Sequence, residues 1–322
     1  MKKSLSVFLD QPGSMLLWNA KYLSGANTFR EIFRAPLQRR DEGIILAPRA
    51  GMMKTTILLL FLCLCATLAS ATTTLQMAPG ADQAKARLDA SPRKGEYALI
   101  PVAGTTTTLR TWVVYPENKD KAPVVIVLHE IFGLSDWMRA VADQLAADGF
   151  IAMAPDLLSG CGPQGGGTES FTPDSVTKAV RALDNDFVTS AINAVREHGL
   201  KLPAASGKFA TMGFCWGGTT SFRYATLQPD LDAAVVYYGT SPGEGYERIQ
   251  AVVLGMYGGT DNRVNSTIPT ARQKMDELKK PYIVKVYEGA SHGFLRQQEG
   301  ANLKAAEDAW PATIQFLREH TK

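Results

Sequence analysis

The sequence predicts an α/β fold with a mostly parallel central sheet and helices on both faces. From residue 95 on, segments rich in β-branched and aromatic residues alternate with segments of helical periodicity. Two of the strand segments, residues 122–130 and 149–157, are nearly continuous apolar runs. Such runs are typical of strands buried on both faces of a parallel sheet. Residues 72–322 contain no internal repeat and no linker-like stretch, so we expect one domain there.

The elements follow one another in a regular order. Strands are predicted from apolar, β-branched and aromatic runs at residues 97–103, 109–116, 122–130, 149–157, 208–215, 231–239, 251–259 and 281–289. Helices are predicted from apolar stripes or polar helical composition. They lie at residues 136–147, at 173–198, from about residue 219 on, at 267–280 and around Trp310, Ile314 and Leu317, and the second of them contains a break. Strands that alternate with helices imply parallel pairing, and ligand sites then lie at the carboxyl ends of the strands.

An export signal is predicted at residues 53–71. Lys54 precedes an apolar run, and Ala69-Ser70-Ala71 forms an A-x-A cleavage site. The run is short for a membrane span, which needs about 20 apolar residues. We expect export to the periplasm or medium without stable membrane association after cleavage, or a cytoplasmic protein if the signal is unused. Residues 1–52 are then an upstream leader, either disordered or a wrongly assigned start, although an Arg-containing targeting leader is an alternative.

The charge distribution argues against nucleic-acid binding. The formal net charge of the chain is +3, but from residue 72 on it holds 25 basic and 27 acidic residues. That part lacks the basic surface that nucleic acids require. It keeps two cysteines, Cys161 and Cys215, which form neither a disulfide framework nor a zinc-ligand spacing. We therefore expect no metal, no cofactor and a monomer, with Cys161 an unpaired loop residue of no catalytic role.

The stretch GFCWGG places Cys215 where a hydrolase elbow has its nucleophilic serine. The elbow pattern is G-x-S-x-G, and here Gly213 and Gly217 flank a cysteine at a strand-to-helix turn. The glycines allow a strained turn and a close approach of strand and helix. The amino terminus of the following helix favours a thiolate. The alternative is a small buried residue in a Gly-rich turn.

A base and an acid follow Cys215 in the chain. Among the four histidines, His292 lies in a Gly-containing loop after the last strand, whereas His129 follows an early strand. Asp261 directly follows the strand at residues 251–259, although an aspartate there also suits a local turn. The order Cys215, Asp261, His292 is the nucleophile, acid, base order of the α/β-hydrolase fold. The backbone N–H groups of Trp216 and Ile131 are the predicted oxyanion donors.

These motifs resemble those of the dienelactone hydrolases, or carboxymethylenebutenolidases, over about residues 95–320. The resemblance rests on LHEIFGL, APDLLSG, GFCWGG, GGTDNRV and YEGASHGF. It implies that Glu130 pairs with the resting thiol of Cys215 and that substrate binding displaces it. It also implies two arginines that bind a substrate carboxylate. Arg296 matches one of them, and Arg181 is a loose candidate for the other.

The sequence therefore predicts a hydrolase of small esters or lactones that uses a Cys-His-Asp triad and a thioester. An acyltransferase with the same triad is one alternative. An exported, non-catalytic binding protein on the hydrolase fold is another. The three ordered catalytic groups argue against the binding protein, because binding alone does not need them.

We expect translation to begin at Met52 or Met53 and the mature chain to begin at about Thr72. The physical reason is that an export signal is read at the start of a chain. Amino-terminal sequencing of the native protein measures this. A mature chain that begins upstream of Met52 would contradict the assignment.

Overall fold

A computed structural model describes residues 76–118 and 120–322. The predicted leader and export signal lie outside these residues. The eight strands of the sheet are β1 (Glu96–Pro101), β2 (Thr108–Val114), β3 (Ala122–Leu128), β4 (Ile151–Pro155), β5 (Ala205–Phe214), β6 (Ala233–Tyr237), β7 (Val252–Gly258) and β8 (Tyr282–Tyr287). Their order in the sheet is β1-β2-β4-β3-β5-β6-β7-β8. β1 and β2 run antiparallel to their neighbours, and the other pairs are parallel. The predicted mostly parallel sheet is confirmed.

The α-helices of the described residues are α1 (Ala84–Ala90), α2 (Asp136–Ala147), α3 (Pro173–Arg181), α4 (Asn185–Leu200), α5 (Trp216–Ala225), α6 (Asn262–Asn265), α7 (Ile268–Glu277) and α8 (Gly300–His320). The predicted break within residues 173–198 lies between α3 and α4. Asp184 caps α4 there by accepting hydrogen bonds from the backbone N–H groups of Asp186 and Phe187. The sequence reading missed α1, which has only seven residues and buries only Ala84.

The sheet separates two apolar clusters. One contains side chains of α2 and α8, and the other contains side chains of α4 and α7. β3 explains the continuous apolar run: Val125 and Val127 belong to the first cluster, whereas Val124 and Ile126 belong to the second. All four are fully buried. Successive side chains of a strand point to opposite faces, so helices on both faces require an unbroken apolar sequence.

The turn between β5 and α5 consists of Cys215 alone. Its φ of 53° and ψ of −113° lie in a region that side chains rarely adopt. The prediction that the helix begins at about Thr219 was wrong by three residues, because α5 begins at Trp216. Gly217 makes this early start possible. A Cβ atom there would lie 2.2 Å from the backbone oxygen of Leu128, at the end of β3.

Within the described ranges, no helix is long and apolar enough to cross a membrane. The same residues hold no group of three or more His, Cys, Asp or Glu side chains that could bind a metal ion.

We expect Gly213→Ala to lower the free energy of unfolding by about 3 kcal/mol or more. A Cβ atom at Gly213 would lie 1.9 Å from the backbone oxygen of Gly217, and a backbone atom cannot move aside as a flexible side chain can. Gly243→Ala is the matched control, because a Cβ atom there meets nothing within 4 Å. The control should change stability by less than about 0.5 kcal/mol. Urea unfolding of the two variants measures this difference. Equal urea midpoints for Gly213→Ala and Gly243→Ala would contradict the close approach of Gly213 to Gly217.

Candidate active site

Residues singled out in the sequence meet at the carboxyl ends of the strands. Cys215 follows β5, and Glu130 lies two residues beyond the end of β3. Asp261 follows β7, and His292 lies in the loop after β8. A cavity of about 470 Å³ opens at this edge of the sheet. It is lined by Ile131, Arg181, Cys215, Trp216, Thr219, Arg263 and His292.

His292 and Asp261 form a directed pair. The imidazole Nδ1 lies 2.5 Å from Asp261 Oδ2, and the aspartate side chain is only 7% exposed. The other carboxylate oxygen, Oδ1, accepts from the backbone N–H of Val264 and caps α6. Asp261 thus serves both the local turn and the histidine. Because the carboxylate accepts the Nδ1 proton, Nε2 is the ring nitrogen that remains available to the cavity.

The thiol of Cys215 is protonated at neutral pH in this arrangement. Burial raises its pKa above the ordinary value, and the charge of Glu130 adds to the effect. The backbone N–H of Trp216 and the charge of Arg263 lower the pKa. The helix amino terminus therefore acts in the predicted direction, towards the thiolate, while burial is the larger effect and favours the thiol. Across the described chain, no hydrogen bond links the thiol to His292.

Glu130 pairs with Arg296 rather than with the thiol. Glu130 Oε1 lies 2.8 Å from Arg296 Nε. The two groups form an ion pair, but the Nε–H bond does not point at the carboxylate oxygen as a hydrogen bond requires. This corrects the pairing with Cys215 that the resemblance implied, because a guanidinium attracts a carboxylate more strongly than a neutral thiol does. Burial raises the pKa of Glu130 to about 7, although Arg296 opposes the shift.

Arg296 does not line the cavity beside Cys215. Its guanidinium is held by Glu130 and lies 4.8 Å from the ring centroid of Phe132. Its charge is therefore engaged within the protein, and its role as a substrate ligand stays a prediction. Arg181, the loose candidate, does line the cavity from the end of α3.

Arg263 and Thr219 also line the cavity, but the sequence analysis did not single them out. Arg263 lies two residues after Asp261 on α6, and Thr219 lies one helical turn after Cys215 on α5. Proximity in sequence to the predicted acid and nucleophile was the signal that could have found them. Among the described residues, neither Arg181 nor Arg263 forms a salt bridge, so both cations can meet a ligand.

Tyr238 is a further residue that sequence reasoning missed. It is fully buried just beyond β6, and its ring centroid lies 5.1 Å from that of His292. Its φ of 40° is unusual for an aromatic residue, and within the described chain its hydroxyl has no hydrogen-bond partner. Strained and unsatisfied groups cluster at functional sites. A tyrosine at the end of a predicted strand carried no such signal in the sequence.

Cys161 lies away from this site. It is exposed, is not bonded to Cys215 and does not line the cavity. The placement agrees with the predicted loop residue.

The comparisons with known proteins point to one family. The profile described as the dienelactone hydrolase family matches residues 109–321. A protein of Saccharolobus solfataricus named as a candidate carboxymethylenebutenolidase is 31% identical over 253 residues, which span 66% of this chain and 95% of that protein. A crystal structure of a candidate dienelactone hydrolase from Klebsiella pneumoniae shares 27% identity with a TM-score of 0.61, over 69% of this chain and 97% of that one.

The fold is shared more widely. An acylaminoacyl peptidase of Pyrococcus horikoshii aligns with a TM-score of 0.57 at 16% identity, over 71% of this chain and 42% of that one. At this identity the likeness concerns the fold alone, and it confirms the predicted α/β-hydrolase fold.

We expect the stability of the protein to fall relative to that of Glu130→Gln as the pH rises from about 4.5 to about 7. The pKa of Glu130 is raised from 4.5 to about 7 in the folded state. Its protonated form therefore contributes stability that is complete below about pH 4.5 and lost as the pH passes 7. The variant does not titrate there, so the difference should reach roughly 3 kcal/mol at most.

Urea unfolding of both proteins between pH 4.5 and 8 measures the difference. Glu307→Gln, at an exposed position of α8, controls for the loss of one negative charge. A stability difference between the wild type and Glu130→Gln that stays constant with pH would contradict the raised pKa.

Proposed function

The chain belongs to the dienelactone hydrolase family, and we propose that it hydrolyses small esters or lactones through a thioester on Cys215. One observation carries the proposal. His292 is bound through Nδ1 to the buried Asp261, which leaves Nε2 for the cavity that it shares with Cys215. A nucleophile, a base and a group that orients the base are the parts that acyl transfer requires.

In the proposed first step, Cys215 Sγ attacks the carbonyl carbon of the substrate while its proton passes to His292 Nε2. The carbonyl π electrons move to oxygen, and the backbone N–H groups of Ile131 and Trp216 stabilise that oxyanion. Such donors contribute roughly 3–4 kcal/mol each in a well-formed hole. The oxyanion then collapses, the C–O bond to the leaving alcohol breaks, and His292 returns the proton to the alcohol oxygen. A lactone keeps this alcohol on the same acyl chain.

In the second step, water gives a proton to His292 and attacks the thioester. The second oxyanion collapses, the C–S bond breaks, and the thiol regains the proton from His292. The product is a carboxylic acid. Asp261 stabilises the imidazolium that forms in both steps, because its carboxylate lies beside the Nδ1 proton.

The raised pKa of Cys215 makes the thiol, rather than the thiolate, the resting form. Burial keeps it protonated, so it resists oxidation and alkylation better than a thiolate. A substrate that brings negative charge toward Arg181 and Arg263 suits the cavity, since both side chains line it. We therefore propose acidic esters or lactones as the substrate class.

We also propose that the enzyme acts after export, in the periplasm or outside the cell. The support is the signal-like segment at residues 53–71. Cys215 is then exposed to oxidising conditions, where a protonated and largely buried thiol is an advantage.

We expect Cys215→Ala to lower the turnover of p-nitrophenyl acetate by at least about a thousand-fold while the protein stays folded. The wild type should carry an acetyl group on Cys215 when the reaction is quenched early, which mass spectrometry of the digested protein detects. Cys161→Ala is the matched control and should keep full activity, because Cys161 is exposed and outside the cavity. Unchanged turnover in Cys215→Ala would refute the nucleophile. A second product in the presence of a competing alcohol would indicate acyl transfer.

A further inference from the structure

His129 is buried behind the cavity and is not used by the proposed reaction. It follows β3, is fully inaccessible to solvent and does not line the cavity. Its Nδ1 lies 2.8 Å from the backbone oxygen of Glu130. A carbonyl oxygen can only accept, so Nδ1 must carry the proton. Within the described chain Nε2 has no partner, and burial lowers the pKa of the ring, so the imidazole is neutral.

This hydrogen bond fixes the peptide unit between Glu130 and Ile131. The same carbonyl oxygen accepts a second hydrogen bond, 3.1 Å long, from the backbone N–H of Gly133. In a trans peptide the N–H points opposite to the C=O. Two donors that hold the carbonyl of Glu130 therefore also set the direction of the Ile131 N–H, away from His129. Across the described residues, that N–H donates to no protein acceptor.

The same ring contacts the second predicted donor. The imidazole of His129 stacks on the indole of Trp216, with ring centroids 5.6 Å apart and an angle of 16° between the planes. Trp216 is the first residue of α5, and its backbone N–H lowers the pKa of the adjacent Cys215 thiol. One buried side chain is thus joined to both residues whose N–H groups would meet the oxyanion.

We infer that His129 is the positioning residue of the oxyanion hole: it aims the Ile131 N–H through the carbonyl of Glu130 and holds Trp216 by stacking. The inference rests on the proposed function. His129 does not exchange protons with the substrate, because its one donor is occupied and its ring is sealed from the cavity. The hydrogen bond to the carbonyl also polarises the peptide and strengthens the N–H as a donor.

Three variants separate the two contacts of the ring. His129→Phe keeps an aromatic ring against Trp216 but loses the donor to the carbonyl of Glu130. His129→Asn keeps an N–H donor close to the place of Nδ1 and loses the ring. His129→Gln carries the same amide one bond further out, near the place of Nε2, and therefore has no donor at the place of Nδ1. It is the polar replacement to use if His129→Phe does not fold.

Two reactions of Cys215 give the readout. Acylation by p-nitrophenyl acetate passes through an oxyanion, whereas alkylation by iodoacetamide forms no oxyanion at a carbonyl. We expect His129→Phe and His129→Gln to lower kcat for the ester about 10- to 100-fold with little change in KM. The reason is that misdirected N–H donors stabilise the oxyanion less, and the oxyanion develops only in the transition state. The rate of alkylation should stay within about two-fold of the wild type, and His129→Asn should recover at least half of the loss on a logarithmic scale.

Other outcomes would overturn the inference. Equal slowing of acylation and alkylation would show that His129 acts on the thiol or on the fold. If the folded His129→Phe and His129→Gln variants keep the wild-type kcat, the hydrogen bond from His129 to the carbonyl of Glu130 does not orient a donor that the reaction needs. If the wild type is alkylated at Cys215 but never acylated there, the proposed function itself fails, and the positioning role falls with it.

Discussion

The close approach of the β5–α5 turn to the end of β3 is the constraint on which the site depends. Gly217 lies so near β3 that a Cβ atom would come within 2.5 Å of the backbone oxygens of both Leu128 and His129. This contact places Trp216 against His129 and brings Ile131 and Trp216 to the same cavity wall. Two segments more than 80 residues apart in sequence thus line one cavity, where the proposed oxyanion donors Ile131 and Trp216 lie. The strained backbone of Cys215 is the conformational cost of this arrangement.

The protonation of Cys215 depends on the charge of Glu130, which Arg296 partly neutralises. A buried carboxylate at Glu130 is tolerated because Arg296 neutralises it, yet burial still raises its pKa to about 7. The same burial keeps the thiol of Cys215 protonated, and the nearby charge of Glu130 reinforces this. Protonation of Glu130, or its displacement by an anionic ligand, would therefore ease ionisation of the thiol. The local electrostatics couple the protonation of Cys215 to what occupies the cavity.

The sequence predicted much of the fold because the relevant signals are local. Apolar runs identified the strands of the sheet, and helical composition identified residues 173–198 as a helix with a break inside. The structure places that break where Asp184 caps α4. The short helix α1 carried too little of the pattern to be found. The start of α5 was misplaced, because Gly217 and Gly218 suggest a loop by composition. In the folded chain they are instead the residues that let the helix approach two strands.

The sequence by itself determined which residues reach the carboxyl edge of the sheet, since the end of each strand fixes the place of the residue that follows it. Cys215, Asp261 and His292 could be named from that position together with the elbow motif and their order along the chain. Only the tertiary structure decided how charged and polar groups pair across that edge. It joined Glu130 to Arg296, brought Arg181 and Arg263 to the cavity and placed His129 behind the Ile131 peptide. Such pairings depend on distances between segments far apart in sequence and on burial, and neither quantity is written in a local pattern of residues.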